Sequence, residues 1–76
     1  MAVTQSPIVR RRAGVLERYW RRELESWKEL PVCVNAGEEV LEGRLTWLGP
    51  GRLIVDFGGG FAEILYDDVI EVELLL

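Results

Sequence analysis

A chain of 76 residues with no histidine and a single cysteine, Cys33, has room for one domain and lacks the usual zinc ligand sets and the commonest neutral-pH base. An internal disulfide is excluded, and no apolar run approaches the roughly twenty residues that cross a bilayer as a helix. The net charge of −4 is unevenly divided: residues 1–29 carry seven basic and four acidic side chains (+3), and residues 30–76 carry two and nine (−7). A polyanion is therefore attracted to the front alone.

These limits set further expectations. With a lone thiol and no apolar export segment ahead of Arg10, Arg11 and Arg12, the expected setting is reducing and cytoplasmic. Neither disulfide nor metal supplements the small core, and 49% of the residues are hydrophobic. Self-association is then the remaining route to further burial, so a homo-oligomer is expected.

Residues 1–6 carry no periodic signal and read as a mobile N-terminus. Residues 7–30 read as an amphipathic helix. Ser6-Pro7 supplies a start, and Val9, Ala13, Leu16, Trp20, Leu24 and Trp27 recur at spacings of three and four. Gly14 costs about 1 kcal/mol relative to alanine inside a helix. Two starts are thus open, one at Pro7 and one after Gly14 that leaves the arginines in a frayed arm. Leu30-Pro31 ends the helix, because the residue before proline is pushed toward extended geometry.

Beyond proline the period changes to two. Predicted strands cover 32–36, 39–48, 52–57, 61–66 and 70–74, separated by turns at Gly37-Glu38, Gly49-Pro50-Gly51, Gly58-Gly59-Gly60 and Asp67-Asp68-Val69. Leu41, Gly43, Leu45 and Trp47 share one face of the second strand, Leu53, Val55 and Phe57 one face of the third, and Ile70, Val72 and Leu74 one face of the fifth. The expected fold is mainly β: an N-terminal helix followed, over 31–76, by a five-stranded, strongly bent antiparallel small barrel. It bends at Gly43, and the helix stripe plugs one open end.

The helix, the long bent second strand and the one-turn link before the last strand resemble the Sm-like family of eukaryotic Sm proteins and the bacterial RNA chaperone Hfq. Val34-x-x-Gly37 followed by Gly43-x-Leu45 looks like the first Sm motif. Ile64-Leu65-Tyr66-Asp67-Asp68-Val69-Ile70 is similar in spacing to the second motif of Hfq, in which a tyrosine ends the fourth strand. Other SH3-like barrels share the strand order. The resemblance implies a ring in which the fourth strand of one subunit pairs with the fifth of the next, through Phe61, Ile64, Tyr66, Ile70, Val72 and Leu74. That arrangement also covers two short edge strands and the apolar tail Leu74-Leu75-Leu76.

The resemblance further implies RNA as a partner, but two departures bear on it. Asp67 and Asp68 stand where Hfq carries a lysine and a histidine, and paired aspartates repel phosphate. Gly49-Pro50-Gly51 replaces the Sm loop that supplies an aspartate and an asparagine to bases, so the family's uridine site is not carried over.

The candidate RNA contacts are therefore Arg11, Arg12, Arg18 and Arg22, with Tyr19 as a stacking platform. Glu17, Arg21 and Glu25 fall four apart and pair along the helix. Trp20 and Trp27 lie on the apolar stripe and read as core. Gly58-Gly59-Gly60 reads as a hairpin turn, because a strand and not a helix follows it. Asp67 and Asp68 read as turn residues before cation ligands, and Cys33 as a small buried hydrophobe. No catalytic constellation, cofactor motif or metal site emerges, so the chain is not expected to be an enzyme. The leading reading is a ring-forming Sm-like protein that binds RNA or an RNA-associated partner through the basic helix side; the alternative is a homo-oligomeric structural or protein–protein adaptor module that binds no nucleic acid. The acidic barrel favours the second.

Overall fold

In the computed structural model of the chain, residues 7–11 and 17–75 are described. They form six strands, β1 (Ile8–Arg10), β2 (Pro31–Asn35), β3 (Val40–Leu48), β4 (Arg52–Asp56), β5 (Phe61–Leu65) and β6 (Glu71–Leu74). One α-helix, α1 (Glu17–Leu24), and 3₁₀ turns at Glu25–Trp27 and Tyr66–Asp68 complete the fold. The strands make one antiparallel sheet in the order β1-β6-β2-β3-β4-β5. The class is mainly β as expected, with six strands in an open sheet.

The front of the chain departs from the helix predicted over 7–30. Ile8–Arg10 is a strand on the outer side of β6, with Val9 opposite Val72 and Arg10 opposite Glu71. Ile8 and Val9 are β-branched and suit an extended backbone. They also meet a row of β6 backbone groups that needs partners. Leu74 N–H donates to Pro7 O at 2.9 Å, and Arg11 N–H to Ile70 O at 2.8 Å. Val9 still packs on the core, now from a strand. Ala13 and Leu16 of the predicted stripe, like residues 1–6, lie outside the described residues.

The helix itself is eight residues long and buries Trp20 and Leu24, the two stripe positions one turn apart. Tyr19 meets Trp20 edge-on, with ring centroids 5.8 Å apart and planes at 74°. The chain then reverses at Glu29, whose φ is +70°. Glu29 N–H donates to Leu45 O at 2.7 Å, and Leu45 N–H returns to Leu30 O at 3.1 Å. These two bonds tie the helix exit to β3, so that Pro31 enters β2 already in register.

Strand alternation supplies the core. Val32 and Val34 from β2, Leu53 and Val55 from β4, and Val72 and Leu74 from β6 are buried in one cluster with Trp20 and Leu24. The alternation slips inside β3, where Leu45 pairs with Val55 but Trp47 pairs with Ile54. Thr46 is the extra residue, and its hydroxyl donates to Ile54 O at 3.3 Å. A bulge of this kind advances the phase by one. Leu48 is therefore buried and Trp47 exposed, where strict alternation had placed Trp47 inside. Trp47 lies instead over Gly49, where an added Cβ would meet its ring within 2.3 Å, and the Arg52 guanidinium stands 5.5 Å from its ring centroid.

Two more apolar positions differ from their predicted faces. Phe57, beyond the end of β4, is exposed at the turn. Ile70 is exposed and Val69 takes the inner position, because the 3₁₀ turn at Tyr66–Asp68 delays β6 by one residue.

Gly43 has a definite packing role. A Cβ there would lie 2.4 Å from Asp56 O and 2.7 Å from Val55 Cγ1, so β4 crosses β3 closer than any side chain permits. Replacing Gly43 with alanine is expected to destabilise the fold by about 1–3 kcal/mol through overpacking, read as a lower urea midpoint at unchanged slope.

Candidate functional site

The open end of the sheet at β5 is the most distinctive surface. Among the described residues β5 pairs with β4 alone, Leu53 standing opposite Ile64 and Val55 opposite Ala62. Ala62 and Ile64 consequently point inward, and Phe61, Glu63 and Leu65 point outward. Phe61 is 66% and Leu65 54% exposed, a high apolar content for a strand with an unpaired edge. Phe57, also exposed, lies at the same end. The carboxylate of Glu63 stands 3.5 Å from Arg52 Nε on β4.

The predicted subunit interface is only partly at this edge. Ile64, Tyr66, Val72 and Leu74 are buried in the core, and Phe61 and Ile70 are exposed. β6 is paired on both sides within the chain, by β2 and by β1. The pairing that the family resemblance implied between a neighbour's fourth strand and this fifth strand would need the side of β6 that Ile8–Arg10 occupies in this chain. Leu65, which alternation places on the same face as Phe61, is also exposed and lies outside the predicted interface residues, as does β1. A three-residue strand is too short to show a period.

The basic cluster is divided. Arg10 Nε lies 3.1 Å from the Glu71 carboxylate, and Arg21 lies 3.7 Å from Glu17 one turn back. Arg11 Nε donates to Val69 O at 2.8 Å, and Nη2 donates to Tyr66 O at 3.1 Å and to Asp67 O. Three of its five N–H donors thus serve the backbone of the 3₁₀ turn and fasten it to the first strand. Arg12 lies outside the described residues. Arg18 and Arg22 are exposed on α1, and no ion pair involves them among the described residues. Tyr19 is half-buried against the core, which removes much of its face from a stacking base.

Other candidate positions are plainly placed. Asp67 and Asp68 sit in the 3₁₀ turn, closed by Val69 N–H to Tyr66 O at 3.1 Å. A cleft of about 380 Å³ is lined by Ala36, Ile64 and the carboxylates of Glu38, Glu39, Glu63 and Asp68, a lining that repels phosphate. No metal-binding group of three is formed by the described residues, and none of their helices is long and apolar enough to cross a membrane. The Gly58-Gly59-Gly60 segment is a hairpin turn, with Phe57 N–H donating to Gly60 O at 3.0 Å and Gly58 at φ +97°. Gly51 N–H donates to Glu17 Oε1 at 2.5 Å, which fastens the Gly49-Pro50-Gly51 loop to α1.

Cys33 is half-buried on the outer face, opposite Glu42 and Glu73, and not inside with Val32 and Val34. Burial, then the charges of Glu42, Glu73 and Glu71, push its thiol up, which opposes thiolate formation.

Compared with known proteins, the chain matches no family model, no curated protein and no solved structure.

Tyr66 yields a pH-dependent consequence. Its ring is 3% exposed and its hydroxyl has no hydrogen-bond partner among the described residues. Burial, with a smaller addition from Glu17 and against the pull of Arg21, pushes its pKa from 10.0 up to about 12. The folded state therefore keeps a proton that the unfolded state loses. Stability is unaffected below about pH 10 and falls as pH rises toward about 12, by at most about 1.4 kcal/mol per unit. Tyr66→Phe is expected to remove this alkaline fall, and to leave stability near pH 7 unchanged or up to about 1 kcal/mol higher, since no hydrogen bond is lost. Urea midpoints of both proteins at neutral and alkaline pH measure it.

Proposed function

We propose that the chain is a self-assembling module of the Sm-like type that acts as a structural or protein–protein adaptor in the cytoplasm, without catalysis. The observation that carries this reading is the β5 edge, whose outer side has no partner strand among the described residues and whose outward side chains include exposed Phe61 and Leu65. Such an edge is a template for another strand. The Sm-like assignment draws support from the helix ahead of the five strands β2–β6, from the close β3–β4 crossing at Gly43, and from the single 3₁₀ turn that links β5 to β6. The gathering of inward side chains from five strands into one cluster is what a curled, partly open small barrel would give, and it supports the same reading.

The charges support the adaptor over an RNA binder. Arg10, Arg11 and Arg21 have partners within the chain, and the cleft beside β5 is acidic. A second reading, RNA contact by the basic helix side, rests on Arg18 and Arg22, one turn apart and exposed.

Two measurements test these readings. Light scattering at micromolar concentration is expected to give a mass several times that of one chain, and a monomer would end the assembly reading. Titration with uridine-rich and adenine-rich RNA at low salt is expected to give no binding. Binding that weakens steeply with salt and collapses in the Arg18→Ala, Arg22→Ala double variant would put the second reading in its place.

A further inference from the structure

Among the described residues the sheet has two free edges, the outer side of β1 and the outer side of β5, and they can be compared group by group. Arg11 N–H bonds to Ile70 O and Leu74 N–H to Pro7 O, so odd-numbered residues of β1 exchange hydrogen bonds with β6. In an antiparallel ladder the alternate residues face away. Ile8 and Arg10 accordingly present their backbone N–H and C=O groups outward. At the far edge, Phe57 N–H bonds to Gly60 O and Tyr66 N–H to Gly51 O. Even-numbered residues of β5 thus serve β4, and Phe61, Glu63 and Leu65 present theirs outward. Each adjacent pair in the sheet is antiparallel, so β1 and β5 run in opposite directions and a second copy can continue the ladder without a break.

We infer that copies of this chain join head to tail, the β1 edge of one against the β5 edge of the next, with Ile8 opposite Leu65, Val9 opposite Ile64 and Arg10 opposite Glu63. This proposal rests on the assembly reading above and names its partner and register. Side-chain chemistry selects the register. Both members of the first pair are apolar and on the outer face, and both members of the second face the core, as Val72 opposite Val9 and Leu53 opposite Ile64 indicate. The third pair joins opposite charges directly across a ladder. A shift by two residues would set Ile8 against Glu63 and Arg10 against Phe61. A two-fold pairing of β5 with its own copy that keeps Phe61 opposite Leu65 sets Glu63 against Glu63, and like charges in that position repel. In the head-to-tail register Glu71, Arg10, the neighbour's Glu63 and its Arg52 alternate in sign across three strand junctions, extending the two ion pairs already present. The contact is heterologous, so it closes into a ring when the rotation per copy allows. Each copy in a ring is then held at two edges, which compensates for the short ladder.

Cross-linking and charge exchange test this together. In a Cys33→Ser background, an Ile8→Cys, Leu65→Cys double variant is expected to form a ladder of oxidised multimers on a denaturing gel, since directly opposed hydrogen-bonded residues lie about 5.5 Å apart at Cα. The Ile8→Cys, Glu63→Cys control should give none. Arg10→Glu and Glu63→Arg are each expected to lose assembly by light scattering while keeping the circular dichroism of the parent. Mixing the two variants should restore it, because every junction between unlike copies again joins opposite charges at these two positions. A parent protein that is an oligomer but gives no Ile8–Leu65 cross-link and no rescue on mixing would overturn this pairing and leave self-assembly intact. A Phe61→Cys, Leu65→Cys variant that captures dimers would identify the two-fold pairing instead. A parent that is a monomer would remove both readings.

Discussion

The constraint on which the structure turns is the pairing of the β6 backbone. β6 is four residues long and sits between β2 and β1, and each of its faces toward a neighbour carries N–H and C=O groups that are costly to leave unpaired in a buried setting. The N-terminal segment answers this from more than sixty residues away in sequence. Arg11 then secures it, its side chain reaching over the end of the ladder to the carbonyls of Tyr66, Asp67 and Val69. Hydrogen bonds from a charged donor are stronger than neutral ones, and here they hold the 3₁₀ turn and the first strand in one unit. The outermost position on that side of the sheet is therefore set by a segment that precedes α1 and the five later strands.

The five later strands were legible because each carries enough residues to display a two-residue period and is bounded by glycine, proline or aspartate. Their observed limits fall within one residue of those read from the sequence. The first strand was not legible. Ile8, Val9 and Arg10 give no period, and Val9 happens to sit four residues before Ala13, which drew it into the helical stripe. Which structure the segment adopts is decided by the edge of β6, a contact that local propensity does not register. The bulge at Thr46 escaped for a related reason. Its signal is a phase change between Leu45 and Leu48, and reading it requires knowing which leucine meets Leu53 and Val55 across the strand.

At the candidate site the same division holds. Exposure of Phe61 follows from alternation, while the clamp that Arg11 makes on the backbone of the turn depends on a contact across most of the chain. The two basic residues of the acidic segment are likewise taken up locally. Arg44 stands between Glu29 at 3.6 Å and Asp56 at 3.7 Å, and Arg52 beside Glu63 and Trp47. Exposed pairs of this sort add little to stability. Their effect lies in sign: every strand junction on the outer face that carries a cation also carries a carboxylate, so misaligned strands would confront like charges.

Cys33 carries one further implication. The sulfur sits on the wet side of β2 with glutamates on both flanking strands, and a neutral thiol is a poor partner in exchange chemistry. Disulfide exchange at Cys33 is accordingly disfavoured, which makes its sulfur a poor covalent link to any second thiol that approaches this face.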